Sequence, residues 1–326
     1  MGIAASHGKI DAMKTDGGIT MSRKQRFANV DYVETTKTFA DFRRWQKERR
    51  AKKKDFSLQI EQAPYKEVEK LNSNRTDLSI TWIGHSTFLI QMNGLNMLTD
   101  PVWANRMGFQ KRLTAPGIDL KDLPEIDIVF ISHGHYDHLD FPTIKELKGN
   151  PTYYVPIGLG HAFKKRGYEN VIEGNWYDSF KQADMTFSFV PAQHWTKRTL
   201  NDTNTSHWGG WIIESNEHSI YFVGDTGYFR GFKEIAEKFN IQTVLMPIGA
   251  YEPEWFMKES HMNPEDAVHA FLELNGQTFI PMHYGAYYLA DDTGPEAMER
   301  LDAEWKRLQL DTTHLRKLLI GETWWI

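Results

Sequence analysis

The stretch ISHGHYDHL at residues 131–139 decides the fold and the chemistry of this chain. It follows a short apolar run typical of a buried β-strand and precedes a helix predicted to begin near Pro142, so it lies on a loop at a strand end. Within six residues it holds four side chains that can bind a metal ion: His133, His135, Asp137 and His138. On such a loop, alternate imidazoles and carboxylates can point toward two adjacent positions. A solvated loop that is rich in histidine by chance would be a poor explanation of these four side chains, because they come directly after a buried strand.

The composition limits what could bind a metal. The 326 residues include 13 His and no Cys, which excludes thiolate ligands, disulfides and a cysteine nucleophile. With 38 Lys+Arg against 43 Asp+Glu, the net charge is −5, and we predict no nucleic-acid partner. No segment approaches the roughly 18 apolar residues of a membrane span. The first 30 residues lack the apolar stretch of a secretory signal, so a cytoplasmic location is expected.

Three further candidate ligands follow predicted strands downstream. His194, Asp225 and His283 lie in the segments VPAQHW, VGDTG and PMHYG, respectively. Either histidine alone could be an ordinary strand-end residue. Together with Asp225 between them, they are better explained as parts of one site that also includes residues 133–138.

The order of these ligands resembles the signature of the metallo-β-lactamase fold. The resemblance implies an α/β (α+β) fold, an αββα sandwich of two mixed sheets flanked by helices, here with an N-terminal arm. It implies two ligand groups and a bridge: His133, His135 and His194 for one zinc ion, Asp137, His138 and His283 for a second, and Asp225 between them. Seven nitrogen and oxygen ligands suit divalent ions of this kind, so the predicted cofactor is Zn²⁺, two per chain.

Longer segments narrow the resemblance to N-acylphosphatidylethanolamine phospholipase D and its bacterial relatives. These segments are WIGHSTFLI at 82–90, LTDP at 98–101, AQHW at 192–195, WGGW at 208–211 and HMNPEDA at 261–267. The resemblance covers about residues 75–310, which divides the chain into an arm, residues 1–75, and a catalytic domain, residues 76–326. It implies a phospholipase D-type phosphodiesterase of lipid metabolism that uses a metal-bound hydroxide.

The resemblance also suggests roles for residues around the ligands. Asp137 is expected to orient the nucleophile, and His261, near a helix N-terminus, to contact an anion such as the substrate phosphate. His85 and Asp100 are predicted to orient ligands, although a structural turn role fits each equally well. Four aromatic residues that flank the ligands are predicted to bind substrate, although each could equally belong to the core: Trp195, Trp208, Tyr251 and Tyr284.

The N-terminal arm must be interpreted from its own sequence. Residues 1–6, MGIAAS, fit the pattern for N-myristoylation. Thr38 and Asp41 form a capping pair that predicts the start of a helix. Residues 43–54 hold eight Lys or Arg and one Glu. A solvated helix end is the plain interpretation, and peripheral contact with an anionic membrane is the alternative, in which each charge contributes ~1 kcal/mol.

The ligands alone do not choose the substrate, because the same hydroxide can attack phosphorus or a carbonyl carbon. The expected substrate is a phospholipid or another small phosphodiester. A lactonase, or another ester or amide hydrolase of the same fold, is the main alternative. From a different class, the chain could be a membrane-surface protein or a metal-dead binding protein, although all seven ligands are present. The resemblance is compatible with a homodimer, but no residue shows an interface.

Overall fold

The computed structural model describes residues 26–326. The first 25 residues, with the predicted myristoylation pattern and the beginning of the arm, lie outside the described residues. Among residues 26–326, no helix is both long enough and apolar enough to cross a membrane.

Strands and helices are interspersed along the described part of the chain. The strands are β1 (Ser79–Gly84), β2 (Thr87–Met92), β3 (Leu95–Thr99), β4 (Arg106–Met107), β5 (Gln110–Lys111), β6 (Ile128–Phe130), β7 (Thr152–Pro156), β8 (Val171–Gly174), β9 (Ser179–Gln182), β10 (Met185–Val190), β11 (Gly210–Glu214), β12 (Ser219–Phe222), β13 (Thr243–Pro247), β14 (Thr278–Met282) and β15 (Thr323–Trp325). The helices are α1 (Phe39–Ala51), α2 (Val68–Ser73), α3 (Phe141–Glu146), α4 (Gly160–Lys164), α5 (Gly231–Ala236), α6 (Glu254–Met257), α7 (Pro264–Glu273) and α8 (Gly294–Arg307). Short 3₁₀ turns lie at Val30–Tyr32, Leu120–Asp122 and Thr312–His314.

Two mixed sheets form the centre of the fold. The first has the strand order β15-β1-β2-β3-β6-β7-β8, and the second has the order β14-β13-β12-β11-β10-β9. Their inner faces share one apolar core, in which the ring of Phe130 lies 5.0 Å from that of Phe187 and 5.4 Å from that of Trp211. Helices α3 and α4 cover the outer face of the first sheet, and α5, α7 and α8 cover the second. The predicted αββα sandwich is confirmed.

The strand ends place the candidate ligands. Strands β3 and β6 pair in parallel, as do β12, β13 and β14, so their carboxyl ends point the same way within each sheet. Asp100 follows β3, and the ligand loop, residues 132–139, follows β6. Asp225 and His283 follow β12 and β14 on the other sheet. Ligands of α/β proteins bind at such carboxyl ends, and here the ends of both sheets meet.

The arm packs onto the catalytic domain. Helix α1 begins with the predicted capping box, in which the Thr38 side chain accepts from the backbone N–H of Asp41 and the Asp41 carboxylate accepts from that of Thr38. Trp45 of α1 is buried, and its ring lies 4.9 Å from the ring of Phe256. Stacking of this kind and the burial of apolar surface hold α1 in place.

The basic segment 43–54 divides into two sets. Arg49 and Lys52 form ion pairs of 3.3 Å and 2.9 Å with the buried carboxylate of Asp291. Lys54 lies 2.7 Å from the Glu296 carboxylate. The interpretation as a solvated helix end is therefore wrong for these three residues, because buried or half-buried carboxylates of the catalytic domain neutralise them. The other set is exposed: Arg43, Arg44, Lys47, Arg50 and Lys53.

Candidate metal centre

Three histidines converge at the ends of β6 and β10, and we call them the three-histidine group. Nδ1 of His135 lies 2.9 Å from Nε2 of His133 and 3.2 Å from Nε2 of His194. His133 and His194 are buried, and His135 is half-buried at the floor of a groove. Three imidazole nitrogens therefore point at one position.

A second set, Asp137, His138 and His283, forms what we call the mixed group. Nε2 of His138 lies 3.2 Å from Nε2 of His283 and 3.3 Å from Oδ2 of Asp137. Both histidine side chains are fully buried, and the Asp137 carboxylate is 15% exposed toward the groove. The mixed group differs from the three-histidine group because it contains its own negative charge.

Asp225 lies between the two groups. Its carboxylate oxygens are 3.1 Å from Nε2 of His138 and 3.0 Å from Nε2 of His283. The same carboxylate is 4.0 Å from Nε2 of His133 and 3.9 Å from Nε2 of His194. The structure thus brings all seven predicted ligands together, with Asp225 facing both groups.

The residues fit divalent metal ions. In a tetrahedral centre with metal–nitrogen bonds of about 2.0–2.1 Å, neighbouring ligand atoms lie about 3.3 Å apart. The nitrogens of the three-histidine group are spaced 2.9 Å and 3.2 Å apart, and those of the mixed group 3.2 Å. Each group also falls within the 4.8 Å spread expected of ligands to one ion. Imidazole and carboxylate donors without sulfur suit divalent metal ions of several kinds.

Asp100 and Ser132 hold ligands of both groups from behind. Nδ1 of His138 donates to Oδ2 of Asp100 at 2.6 Å. The Ser132 hydroxyl donates to the same carboxylate and accepts from Nδ1 of His133 at 2.9 Å. Such partners fix the tautomer and orientation of a metal-binding imidazole. The contact between Asp100 and His138 is the kind that the predicted orienting role of Asp100 requires. Nothing in the sequence indicated a role for Ser132.

Two further contacts orient the remaining ligands. Nε2 of His85 lies 3.2 Å from Oδ2 of Asp137, as a residue that orients this carboxylate would. Nδ1 of His194 lies 2.9 Å from the backbone carbonyl of Ser260, which sets the rotation of the His194 ring. The contact between His194 and the Ser260 carbonyl could not be predicted from the sequence, because every residue type has the same backbone carbonyl.

The protonation of the two groups differs because of their charge. Burial lowers the pKa of His133 and His194 well below the ordinary value, and that of His135 to about 4. Burial also opposes the charged form of His283, but Asp225 and Asp137 outweigh it and raise the pKa of His283 to about 9. The same carboxylates and Asp100 raise the pKa of His138 well above its usual range. Asp137 and the neighbouring carboxylates of Asp225 and Asp100 thus favour protonated histidines in the mixed group, where an ion would bind.

A groove of about 970 Å³ leads to the ligands. His135, Asp137, Asp225 and His261 lie at its floor. Nδ1 of His261 is 3.8 Å from Oδ2 of Asp225, and burial lowers the pKa of His261 to about 4, which leaves a neutral imidazole. The predicted anion contact would therefore be a hydrogen bond from a neutral ring.

The arm forms one wall of this groove. Its contribution comes from residues 35–39 together with Phe42 and Trp45. Phe256, Met257 and Leu289 also line the groove and form an apolar cluster with Trp45. The sequence resemblance begins only near residue 75, and the arm lies before it. A part of the chain outside the resemblance therefore shapes the approach to the candidate metal centre.

The predicted substrate-binding aromatics separate into two kinds. Trp195 lines the groove. Trp208 and Tyr251 do not, since they are 0% and 1% exposed and pack in the interior. Tyr284 is also buried and borders a separate small cavity of about 20 Å³. The predicted substrate role does not match the placement of Trp208, Tyr251 and Tyr284, because each ring is buried in the core around the site.

Arg198 stabilises the ligand loop, a role that sequence reasoning did not assign to it. Its Nη1 donates to the backbone carbonyls of Gly134 at 2.8 Å and Leu139 at 2.9 Å. Its guanidinium carbon lies 4.1 Å from the centroid of the Tyr136 ring. A guanidinium that binds several carbonyls at once can fix a loop that has no regular secondary structure.

Comparison with known proteins agrees with the fold and the site. The Beta-lactamase superfamily domain matches residues 95–284. The structure of Igni18, described as a metallo hydrolase from Ignicoccus hospitalis, superimposes with a TM-score of 0.60 at 22% identity, over 77% of this chain and 99% of that one. The fold and the site define a metal-dependent hydrolase of the metallo-β-lactamase fold.

Relatives of known description narrow the family. N-acyl-phosphatidylethanolamine-hydrolyzing phospholipase D 1 of Caenorhabditis elegans is 36% identical over 275 residues, which is 77% of this chain and 76% of the relative. A mitochondrial protein of that description from Saccharomyces cerevisiae is 32% identical over 73% of this chain, which spans 54% of its length. The chain belongs to the β-lactamase superfamily and is related within it to the N-acyl-phosphatidylethanolamine-hydrolyzing phospholipases D.

Proposed function

We propose that the protein is a dizinc phosphodiesterase of the phospholipase D type that acts on phospholipids resembling N-acylphosphatidylethanolamine. The observation that carries this proposal is the groove, which joins an apolar wall to seven converging metal ligands. The description of the Caenorhabditis elegans relative supports the same substrate class.

The side chains at the groove floor divide the chemical work. When bound, two ions supply Lewis acidity toward the oxygens of the substrate and lower the pKa of a water molecule, which makes it a nucleophile at neutral pH. Asp137 faces the groove and accepts a hydrogen bond from the attacking water, so it orients the nucleophile. His85, 3.2 Å from Asp137, holds that carboxylate in position. Asp225 keeps the two ligand groups close to each other.

The walls of the groove suit the two ends of such a lipid. Trp45, Phe256 and Leu289 provide an apolar surface for an acyl chain. Lys37 and Lys197 line the same groove and place positive charge along the path of a phosphodiester. His261 at the floor donates a hydrogen bond to a phosphate oxygen. A lactone would use the same floor but would not need the two lysines.

The test is a comparison of substrate classes with the zinc-loaded protein. Hydrolysis of N-acylphosphatidylethanolamine, a simple phosphodiester and a lactone panel is measured in parallel. We expect kcat/KM for the phospholipid to exceed that for the lactones by more than about 100-fold, about 2.7 kcal/mol of transition-state free energy. Asp137→Asn should abolish the activity. A preference for lactones of that size would replace the proposed activity with a lactonase.

We also propose that α1 contacts an anionic membrane surface through its exposed residues. Arg43, Lys47 and Arg50 are exposed and form no ion pair with the described residues 26–326, and Phe39 on the same helix is 75% exposed. Arg49, Lys52 and Lys54 are excluded from this surface by their carboxylate partners. The contact would bring the groove mouth to the lipid.

Vesicle sedimentation with phosphatidylserine-containing membranes tests this contact. The double variant Arg43→Glu, Lys47→Glu should weaken binding at low salt by at least about tenfold, since each charge contributes ~1 kcal/mol near such a surface. The matched control is Lys121→Glu, Lys145→Glu on exposed parts of the catalytic domain. Equal binding by both double variants would remove α1 from the interaction.

A further inference from the structure

The backbone of His194 is held by the arm and not by its own sheet. Strand β10 ends at Val190, four residues before His194. The intervening segment makes one isolated bridge, between Gln193 and Gly227. Within residues 26–326, no backbone group hydrogen-bonds to the N–H or C=O of His194. Something other than the strand ladder must therefore fix this ligand.

Asn29 provides that contact. Its Oδ1 accepts from the backbone N–H of His194 at 2.9 Å, and its Nδ2 donates to the backbone C=O of the same residue at 2.9 Å. Oδ1 also accepts from Nε1 of the buried Trp208 at 2.9 Å. Asn29 is 7% exposed, and its amide pairs with His194 as a neighbouring strand would. The two donors fix the orientation of the amide, because a flipped amide would place N–H groups against N–H groups.

Thr35 adds a second contact from the same arm. Its hydroxyl donates to the C=O of His194 at 3.0 Å, and the side chain is 2% exposed. The arm is itself anchored nearby, since Phe27 donates its backbone N–H to the Asn204 carbonyl at 2.8 Å and its ring stacks on His207 at 4.5 Å. Asn29 and Thr35 therefore act from a segment that is fixed on the loop beyond His194.

We propose that Asn29 and Thr35 are positioning residues of the metal centre, which hold His194 where its Nε2 completes the three-histidine group. The proposal rests on the metal centre of the proposed function, but it concerns a different part of the chain. The arm makes no such contact with Asp137, His138 or His283 among the hydrogen bonds of residues 26–326. Loss of the contact should consequently weaken one ion and spare the other.

The sharpest variant is Asn29→Asp. It keeps the size of the side chain but places a carboxylate oxygen where Nδ2 now donates to the carbonyls of His194 and Val33. Asn74→Asp is the matched control, because Asn74 is also buried and donates to a backbone carbonyl, that of Asp77, and to Gln91, away from the ligands. Both variants should lower the Tm, so stability alone does not separate them.

Equilibrium dialysis against buffered Zn²⁺ separates them without any turnover. We expect Asn29→Asp to weaken one of two ions about tenfold, the lower end of what partners of metal ligands contribute, and to leave the second within about twofold. Asn74→Asp should leave both affinities unchanged. In a His283→Ala background, which impairs the mixed group, Asn29→Asp should weaken the remaining ion by the same factor. Wild-type affinities in Asn29→Asp, or equal weakening of both ions, would overturn the proposal.

If Asn29→Asp does not fold, Thr35→Val decides the question. It preserves the shape of the side chain and removes only the hydroxyl that donates to His194. We expect about threefold weaker binding of one ion, the size of one lost hydrogen bond, and unchanged binding would overturn the proposal. A wild-type protein that binds two ions but cleaves no phosphodiester would overturn the proposed function alone, whereas one that binds no ion would overturn both.

Discussion

The two halves of the candidate metal centre use different means to hold their ligands. The mixed group is held by charge: Asp225, Asp137 and Asp100 surround His138 and His283. The three-histidine group has no carboxylate of its own and depends on hydrogen bonds that its residues make with Ser132, Ser260 and the arm. The comparison teaches that one candidate metal centre can combine a half whose ligands are held by charge with a half whose ligands are held by packing and by contacts to backbone groups.

The largest expected effect comes from the one residue that both halves share. Asp225→Asn keeps the size of the side chain but removes the charge that faces both groups. We expect kcat to fall by about 10³-fold, the upper range for loss of one electrostatic contact in an active site, and zinc content to fall below two per chain. Asp184→Asn, on an exposed turn, is the control. If the Asp225→Asn variant keeps two ions per chain and at least a tenth of the wild-type activity, the two halves do not depend on their shared carboxylate.

The pH dependence of metal binding should separate the halves next. The pKa of His283 is raised to about 9, so this histidine holds a proton at lower pH and an ion must displace it. The three-histidine group is neutral from pH 6 to 8 because burial lowers its pKa values. From pH 6 to pH 8, chelator competition should show one ion bound at least about 100-fold more tightly, the change for one displaced proton, and the other nearly unchanged. Equal pH dependence of both ions would contradict the charge difference.

Asp100→Asn probes the contact behind the mixed group. The Asp100 carboxylate accepts from Nδ1 of His138 and the Ser132 hydroxyl on Oδ2, and from the backbone N–H of Ser132 on Oδ1. An amide has only one acceptor oxygen, so its NH₂ group must face at least one of these donors. We expect a loss of about 10–100-fold in metal affinity, mainly at the mixed group, with a smaller effect transmitted to His133 through Ser132. Isothermal titration with zinc measures both ions. A loss confined to the three-histidine group would reverse the assignment.

The smallest expected effect tests the exposed side of the three-histidine group. The Trp195 ring packs edge-on against the ring of His135 with centroids 4.5 Å apart. Since an aromatic pair contributes about 0.5–1.5 kcal/mol, Trp195→Leu should weaken zinc binding at this group about threefold. Trp324→Leu is a control, because its half-buried ring lies beside Arg316 and packs on no ligand. Equal effects of both variants would show that Trp195 acts only through general stability.

The regular elements were well predicted wherever both faces of a strand are covered. The sequence predicts strands over residues 87–92, 185–190 and 243–247, and these are the observed limits of β2, β10 and β13, whose residues are nearly all buried. Apolar side chains on both faces of such a strand leave little choice of register. Strands β8 and β9 were not predicted. They lie at the edges of the two sheets and are partly or wholly exposed, so their polar residues carry no clear period.

The sequence by itself determined the fold class and the seven candidate ligands. Coordination chemistry restricts ligands to a few residue types, and four of them lie on one loop where short spacing is visible. Only the tertiary structure decided what surrounds them. Asn29 lies 165 positions from His194, and Trp208 lies in the core instead of the groove. Hydrogen bonds to backbone groups and the packing of aromatic rings depend on which segments meet in space, and neither leaves a local pattern in the chain.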